Sequence, residues 1–180
     1  YENFTKCCNC SRILYNFQKF EFISFGMYDY VGKIFNIYNG FEDNQKVQTL
    51  SGDNKFFCNN CKQLCEAKIC TKILMPPNKL LINIDFGKNK IYHPKKVTFD
   101  QEIDITKYIS YDYGMQFKYR IIGVCLHYGL SGSSGHYVAL IKHKNNGKWY
   151  CFNDSFVSEY TKRNLNIGTP YLLLYERIKS

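Results

Sequence analysis

Long apolar runs, prolines and blocks of like charge are all scarce in this chain of 180 residues. No stretch nears the roughly 18 consecutive apolar residues that a membrane-spanning helix needs, so no membrane partner is expected. With only four prolines, few strands or helices are broken from within. The formal charge of +9 is scattered, with no run of five or six like charges, which disfavours a dedicated nucleic-acid arm and suits a solvated surface. One tryptophan stands against 16 tyrosines and 14 phenylalanines, so the core has to be built from those smaller rings and from aliphatic residues.

What the chain has in quantity is β-forming material. Hydrophobic residues make up 45% of it and aromatics 17%, enough to bury a substantial core. Short apolar runs separated by Gly, Asn and Asp predict an α+β chain that is mainly antiparallel β. Strands are expected at Phe20–Phe25, Lys79–Asp85, Arg120–His127, Tyr137–Lys142, Lys148–Phe152 and Tyr171–Arg177. Val31, Ile34, Phe35 and Tyr38 stand at helical spacing, which predicts a short helix over Tyr28–Tyr38, and Ile105–Ile109 reads as a single turn. Met75-Pro76-Pro77-Asn78 separates a cysteine-rich half from a half that carries the histidine chemistry.

Nine cysteines include two Cys-x-x-Cys pairs, Cys7/Cys10 and Cys58/Cys61. An odd count with paired spacing suits thiolate metal ligation in a reducing compartment better than a closed set of disulfides. Two such knuckles close a tetrahedron of four sulfurs around one structural zinc ion and leave no open position for catalysis. Residues 11–57 must then run out and return beside their start. Cys8 and Cys65 are the alternates for a ligand, while Cys70, Cys125 and Cys151 lie in apolar contexts that suit small buried thiols. The opening Tyr1–Ser11 is polar and cysteine-bearing, unlike a secretory leader, so an intracellular setting, cytoplasm or nucleus, is the expectation.

In the second half, Leu130-Ser131-Gly132-Ser133-Ser134-Gly135 runs straight into His136-Tyr137-Val138-Ala139-Leu140, which puts a histidine at a strand entrance. The return strand, Lys148–Phe152, ends in Asn153 and Asp154, so an imidazole and a polar partner can face each other. Direct opposition of His136 and Asn153 needs a hairpin centred between Lys144 and Asn145. A tight turn at Asn146-Gly147 would pair Asn153 with Leu140 instead. A longer loop over Lys142–Gly147 is therefore predicted, with Gly147 at positive φ. His93 and His143 read as surface residues, and His127 as a structural, hydrogen-bonded one.

Taken in order, these segments resemble the second half of the ubiquitin-specific protease catalytic domain. The resemblance rests on Lys55-Phe56-Phe57-Cys58-Asn59-Asn60-Cys61-Lys62, Ile73–Ile84, Val97–Asp100, Ile103–Tyr108, Tyr119–Tyr128, Gly135–Leu140, Lys148–Ser155 and Tyr171–Tyr175. It implies a papain-like cysteine proteinase fold, with zinc-ribbon fingers mostly in 1–75 and a palm mostly in 76–180. The implied activity is hydrolysis of the bond after ubiquitin's C-terminal glycine, with ubiquitin and ubiquitinated proteins as partners. His136 is then the base, Asn153 its orienting partner and Asp154 the second in line, while Leu130–Gly135 and Tyr137 meet substrate. Two departures stand out. The family's Gly-Asn-Thr-Cys-Tyr type nucleophile motif occurs nowhere in this chain, so the expected thumb with the nucleophilic cysteine lies outside it. Asn83-Ile84-Asp85-Phe86-Gly87 replaces a basic-aromatic ending. A ubiquitin-binding module without chemistry is the alternative function, and a zinc ribbon that binds nucleic acid is a more distant one.

Overall fold

Alternation of buried and outward-facing positions sets the centre of the fold. In the computed structural model, which describes residues 1–87, 96–129 and 135–179, Leu80, Ile82 and Ile84 of the strand Lys79–Asp85 (β9) point inward while their neighbours stay outside. Pro76 and Pro77 stop the preceding segment, so β9 starts two residues later. Thr169–Arg177 (β16) does the same with Leu173 and Tyr175. Lys118–Tyr128 (β12) is longer, and its inward set steps from Tyr119 and Ile121 to Val124 and Leu126. That change of phase is made by a bulge between Ile121 and Gly123, which keeps both ends of the strand facing one core.

These strands belong to an eight-stranded sheet. Its order runs Phe156–Tyr160 (β15), Trp149–Asn153 (β14), His136–Lys142 (β13), β12, β16, β9 and Ile23–Gly26 (β3), with Glu102–Asp104 (β11) also on β12. All pairings are antiparallel except β3 with β9. A second sheet has four strands in the order Ile13–Phe17 (β2), Glu2–Cys7 (β1), Ala67–Lys72 (β8) and Gln48–Leu50 (β5). Phe56–Cys58 (β6) and Gln63–Cys65 (β7) form a separate hairpin. Ile34–Asn36 (β4) pairs in parallel with Lys96–Thr98 (β10).

The six strands expected from the sequence are present, with Ile23–Gly26 shorter than the predicted Phe20–Phe25. The helix is displaced. Tyr28–Tyr30 makes one 3₁₀ turn, Gly32 takes φ +70, and the helix itself (α1) covers Ile37–Asn44. Ile34 and Phe35 carry helical periodicity but are drawn into the pairing with β10, so the helix starts where Asn36 can cap it. Its side chain accepts from Tyr38 N–H, and Asn39 accepts from Asn36 N–H, each at 2.9 Å. Gly40 of α1 lies against Phe25, where a Cβ would come within 2.3 Å of the ring. The turn expected at Ile105–Ile109 is a 3₁₀ turn over Thr106–Tyr108.

One core joins β3, β4, α1, β9, β12 and β16 through residues such as Phe25, Phe35, Phe41, Leu80, Tyr119 and Tyr175. Two of its buried hydroxyls donate to backbone carbonyls: Tyr119 to Pro77 O at 2.6 Å and Tyr175 to Asp100 O at 2.7 Å. The sequence departure at Asn83–Gly87 is absorbed locally. Ile84 and Phe86 are buried, Asn83 donates to Ser24 Oγ at 3.0 Å, and Asp85 accepts from Gly87 N–H at 2.8 Å. No helix among the described residues is long and apolar enough to cross a membrane.

Candidate active site and metal centre

The two Cys-x-x-Cys pairs meet because β1 and β8 run side by side. Cys7 ends β1 opposite Ala67, and the β6–β7 hairpin that precedes β8 brings Cys58 and Cys61 to the same end. Each knuckle turns by the same device. Ser11 N–H donates to Cys7 O at 3.0 Å and Lys62 N–H to Cys58 O at 2.8 Å, and both Ser11 and Lys62 adopt positive φ, 60° and 55°. Left-handed backbone just after the second cysteine folds each loop under its sulfurs.

The sulfurs of Cys7, Cys10, Cys58 and Cys61 all lie within 4.8 Å of one another, a cluster able to coordinate a metal ion. Backbone N–H groups bias it toward thiolate. The Arg12 amide chiefly holds the Cys10 thiol down to about 6, and the Cys10 amide lowers Cys7. Cys61 is pushed up to about 12: the Asn9 amide donates to its sulfur at 3.3 Å, but the neighbouring Cys10 and Cys58 sulfurs and burial outweigh that bond. Four sulfurs this close cannot all ionise without a cation between them. Of the two alternates, Cys8 is exposed, whereas Cys65 is buried against Cys7 and Cys58. Cys70 is buried as expected, but Cys125 and Cys151 are only half-buried.

At the other end of the molecule, β13 begins with His136, paired to Tyr128 of β12. The loop back to β14 is the longer one predicted. Gly147 N–H donates to His143 O at 2.9 Å, His143 N–H donates to Lys148 O at 2.8 Å, and Gly147 takes φ 68. The register differs from direct opposition. Ala139 faces Phe152 and Lys142 faces Trp149, so Asn153 stands two residues out of step with His136, on the same face. A diagonal contact results, with His136 Nε2 on Asn153 Oδ1.

Because the amide oxygen only accepts, the proton sits on Nε2 and Nδ1 keeps its lone pair. Asp154 Oδ2 lies 4.0 Å from Nδ1, on a tight turn where Asp154 itself has φ 52. His136 and Asp154 side chains are 45% and 78% exposed, so the imidazole is held at one nitrogen and open at the other.

Of the expected substrate-facing residues, Leu130, Ser131, Gly132, Ser133 and Ser134 lie outside the described residues, as does His93. Gly135 and Tyr137 flank His136. Tyr137 is half-exposed, with its ring 4.8 Å from His127 and 5.4 Å from Tyr171. His127 is buried, and His143 is exposed beside Tyr150. One feature escaped the sequence reading: Gly135 lies directly on His127, where a Cβ would come within 2.0 Å of Nε2. A glycine immediately before a histidine, with another histidine on the neighbouring strand, is the signal that could have found it.

An antiparallel sheet that presents an amide-held imidazole, joined to a tetrathiolate-tipped second sheet, defines a papain-like fingers-and-palm fold of the α+β class. Residues 1–175 match the sequence profile described as "UCH: Ubiquitin carboxyl-terminal hydrolase", and the chain belongs to that family. It is 35% identical over 136 residues to "Ubiquitin carboxyl-terminal hydrolase 25" of Arabidopsis thaliana, an alignment that covers 72% of this chain and 20% of that protein. With "Ubiquitin carboxyl-terminal hydrolase 48" of Rattus norvegicus it shares 32% over 130 residues, 68% of this chain and 12% of that protein. With "Ubiquitin carboxyl-terminal hydrolase 17-like protein B" of Mus musculus it shares 25% over 175 residues, 94% of this chain and 36% of that protein. The chain thus spans a fraction of the length of the curated relatives it matches.

Proposed function

We propose that this chain supplies the fingers, mostly in 1–75, and the palm, mostly in 76–180, of an intracellular deubiquitinase that hydrolyses the isopeptide or peptide bond after ubiquitin's C-terminal glycine. The observation that carries the reading is the His136–Asn153 contact, which leaves Nδ1 as a proton acceptor on an exposed edge. In the proposed reaction a cysteine thiol from outside this chain gives its proton to Nδ1. The thiolate attacks the ubiquitin carbonyl, the proton passes to the departing amine, and water, giving its own proton to Nδ1, then cleaves the thioester to free ubiquitin's carboxyl and restore the thiol. Asn153 holds the productive tautomer throughout, as a neutral counterpart of the carboxylate in other triads. Asp154, 4.0 Å from Nδ1 and well exposed, is the second polar group beside the ring. Gly135 and Tyr137, on either side of His136, form the edge that meets the ubiquitin tail.

Zinc fits the tetrathiolate cluster. Zn–S bonds of about 2.3 Å in a tetrahedron put sulfurs about 3.8 Å apart. Cys10 and Cys58 sulfurs stand 3.7 Å apart. When bound, the ion would crosslink β1 to the β6–β7 hairpin and so set the angle of the fingers; it would take no part in bond cleavage.

The test is hydrolysis of a ubiquitin C-terminal fluorogenic substrate by the complete protein, with and without His136→Ala. Loss of turnover with retained ubiquitin binding supports the reading. Unchanged turnover in the variant refutes it. A wild-type protein that binds ubiquitin but cleaves nothing would instead be a binding module.

A further inference from the structure

Far from His136, four separate segments bring cations to one cleft. Lys79 of β9, Glu176 of β16 and Arg120 of β12 are consecutive cross-strand neighbours on one face of the large sheet. They line the cleft together with Lys142 at the end of β13, Lys144 in the turn that follows, and Arg177 and Lys179 at and beyond the end of β16, around a volume of about 620 Å³. That is the size of a small-ligand site. β13 separates it from His136 by six residues, or about 20 Å at strand spacing, so the cleft is distinct from the proposed active site.

The charge balance is one-sided. Glu176 is the only carboxylate among the lining residues, and it already holds Lys79 and Arg120, the latter at 3.4 Å. Lys148, next along the turn, is neutralised by Glu159 at 2.8 Å and does not line the cleft. Among the described residues no carboxylate lies within 4 Å of the amines of Lys142, Lys144 or Lys179. The lining is also set in place. Asn146 accepts from Lys148 N–H at 3.0 Å and donates to Tyr150 Oη at 3.1 Å, and the Arg177 guanidinium lies 4.4 Å over the Phe117 ring.

We propose that this cleft binds a compact soluble ligand that carries two or more phosphate groups. Six cations from four segments line one cleft, which suits a small, dense anion and not an extended polymer lying along a stripe. Glu176 sets the position of Lys79 and Arg120 and also limits the affinity, because it repels the ligand.

Inorganic tripolyphosphate titrated calorimetrically into the complete protein at low salt is the probe. Lys142→Glu with Lys144→Glu is expected to weaken binding at least tenfold, and Glu176→Gln to tighten it about threefold. Lys19→Glu with Lys55→Glu, the same change of net charge at exposed positions elsewhere, is expected to leave it within twofold. The gain in Glu176→Gln cannot come from misfolding. Equal weakening by both double variants, no preference for tripolyphosphate over monophosphate, or tighter binding of polyglutamate or an oligonucleotide would each overturn the proposal.

Discussion

Replacing Gly135 by alanine tests how His136 is positioned, because the contact behind it has no slack. The added Cβ would stand 2.0 Å from His127 Nε2, 2.4 Å from Cε1 and 2.7 Å from Tyr128 O, against about 3.4 Å for an ordinary contact. Something must move by about 1.4 Å. His127 is a poor candidate, being buried against the rings of both Tyr137 and Tyr171. Tyr128 O belongs to β12, whose bonding to β13 holds it. The strain therefore falls on the entry to β13, one residue from the imidazole. Overpacking of this kind costs about 1–3 kcal/mol, and a shift of about 1 Å in a reacting group costs on the order of 10²-fold in rate.

The assay is kcat on a ubiquitin C-terminal fluorogenic substrate beside the urea midpoint. Gly147→Ala is the control: its φ is +68 and nothing lies within 4 Å of its Cβ. It should therefore lose about 1 kcal/mol of stability through backbone strain alone and keep its kcat. A double variant, Gly135→Ala with His127→Ala, removes the ring that the methyl strikes and should recover part of the lost rate. Wild-type kcat and midpoint in Gly135→Ala would refute the reasoning.

Cys58→Ser should reduce bound metal from one ion per chain to near zero by elemental analysis and lower the melting temperature. Wild-type metal content should also fall with pH, because the ligands must be deprotonated to bind; full metal in the variant would place the ligands elsewhere. Asn153→Ala should lower kcat by about ten- to a hundredfold, whereas Asp154→Ala, 78% exposed and 4.0 Å from Nδ1, should lower it less than threefold. The reverse order would assign the orienting role to the carboxylate. Burial works to raise the pKa of Asp104, but the hydroxyl and amide of Thr106, at 2.5 and 2.9 Å, together with Lys118, hold it below the ordinary value. A depressed carboxyl contributes stability above its unfolded pKa and loses it as pH falls through the folded value. Urea midpoints measured from pH 6 to pH 3 should therefore fall less steeply in Asp104→Asn than in wild type, and parallel curves would remove this role.

Much of the candidate site was legible because its signals are local. Leu80, Leu81, Ile82 and Ile84 after Pro76-Pro77 mark β9 as a strand, and Cys-x-x-Cys spacing pairs the thiols, since both signals lie within a few residues. His136 at a strand entrance, followed by Asn153 at the end of the next strand, is likewise visible in linear order. The helix was misplaced because its neighbour β4 answers to β10, some 60 residues away, and local periodicity does not contain that pairing. The four-stranded sheet was largely unseen for a related reason: β2 is an edge strand with every residue exposed, so it has no buried face to mark it.

Determined by the sequence itself were the α+β class, the two thiol pairs, the histidine and its amide partner, and the family. Three further matters were decided only by the tertiary structure. The four-residue turn set the offset of two that makes the His136–Asn153 contact diagonal. The close approach of β12 to the start of β13 made Gly135 a tight contact on His127. Pairing of β9, β16 and β12 gathered scattered cations into one cleft. Each depends on which strands lie side by side, and that is settled by burial of the whole core, not by any one segment.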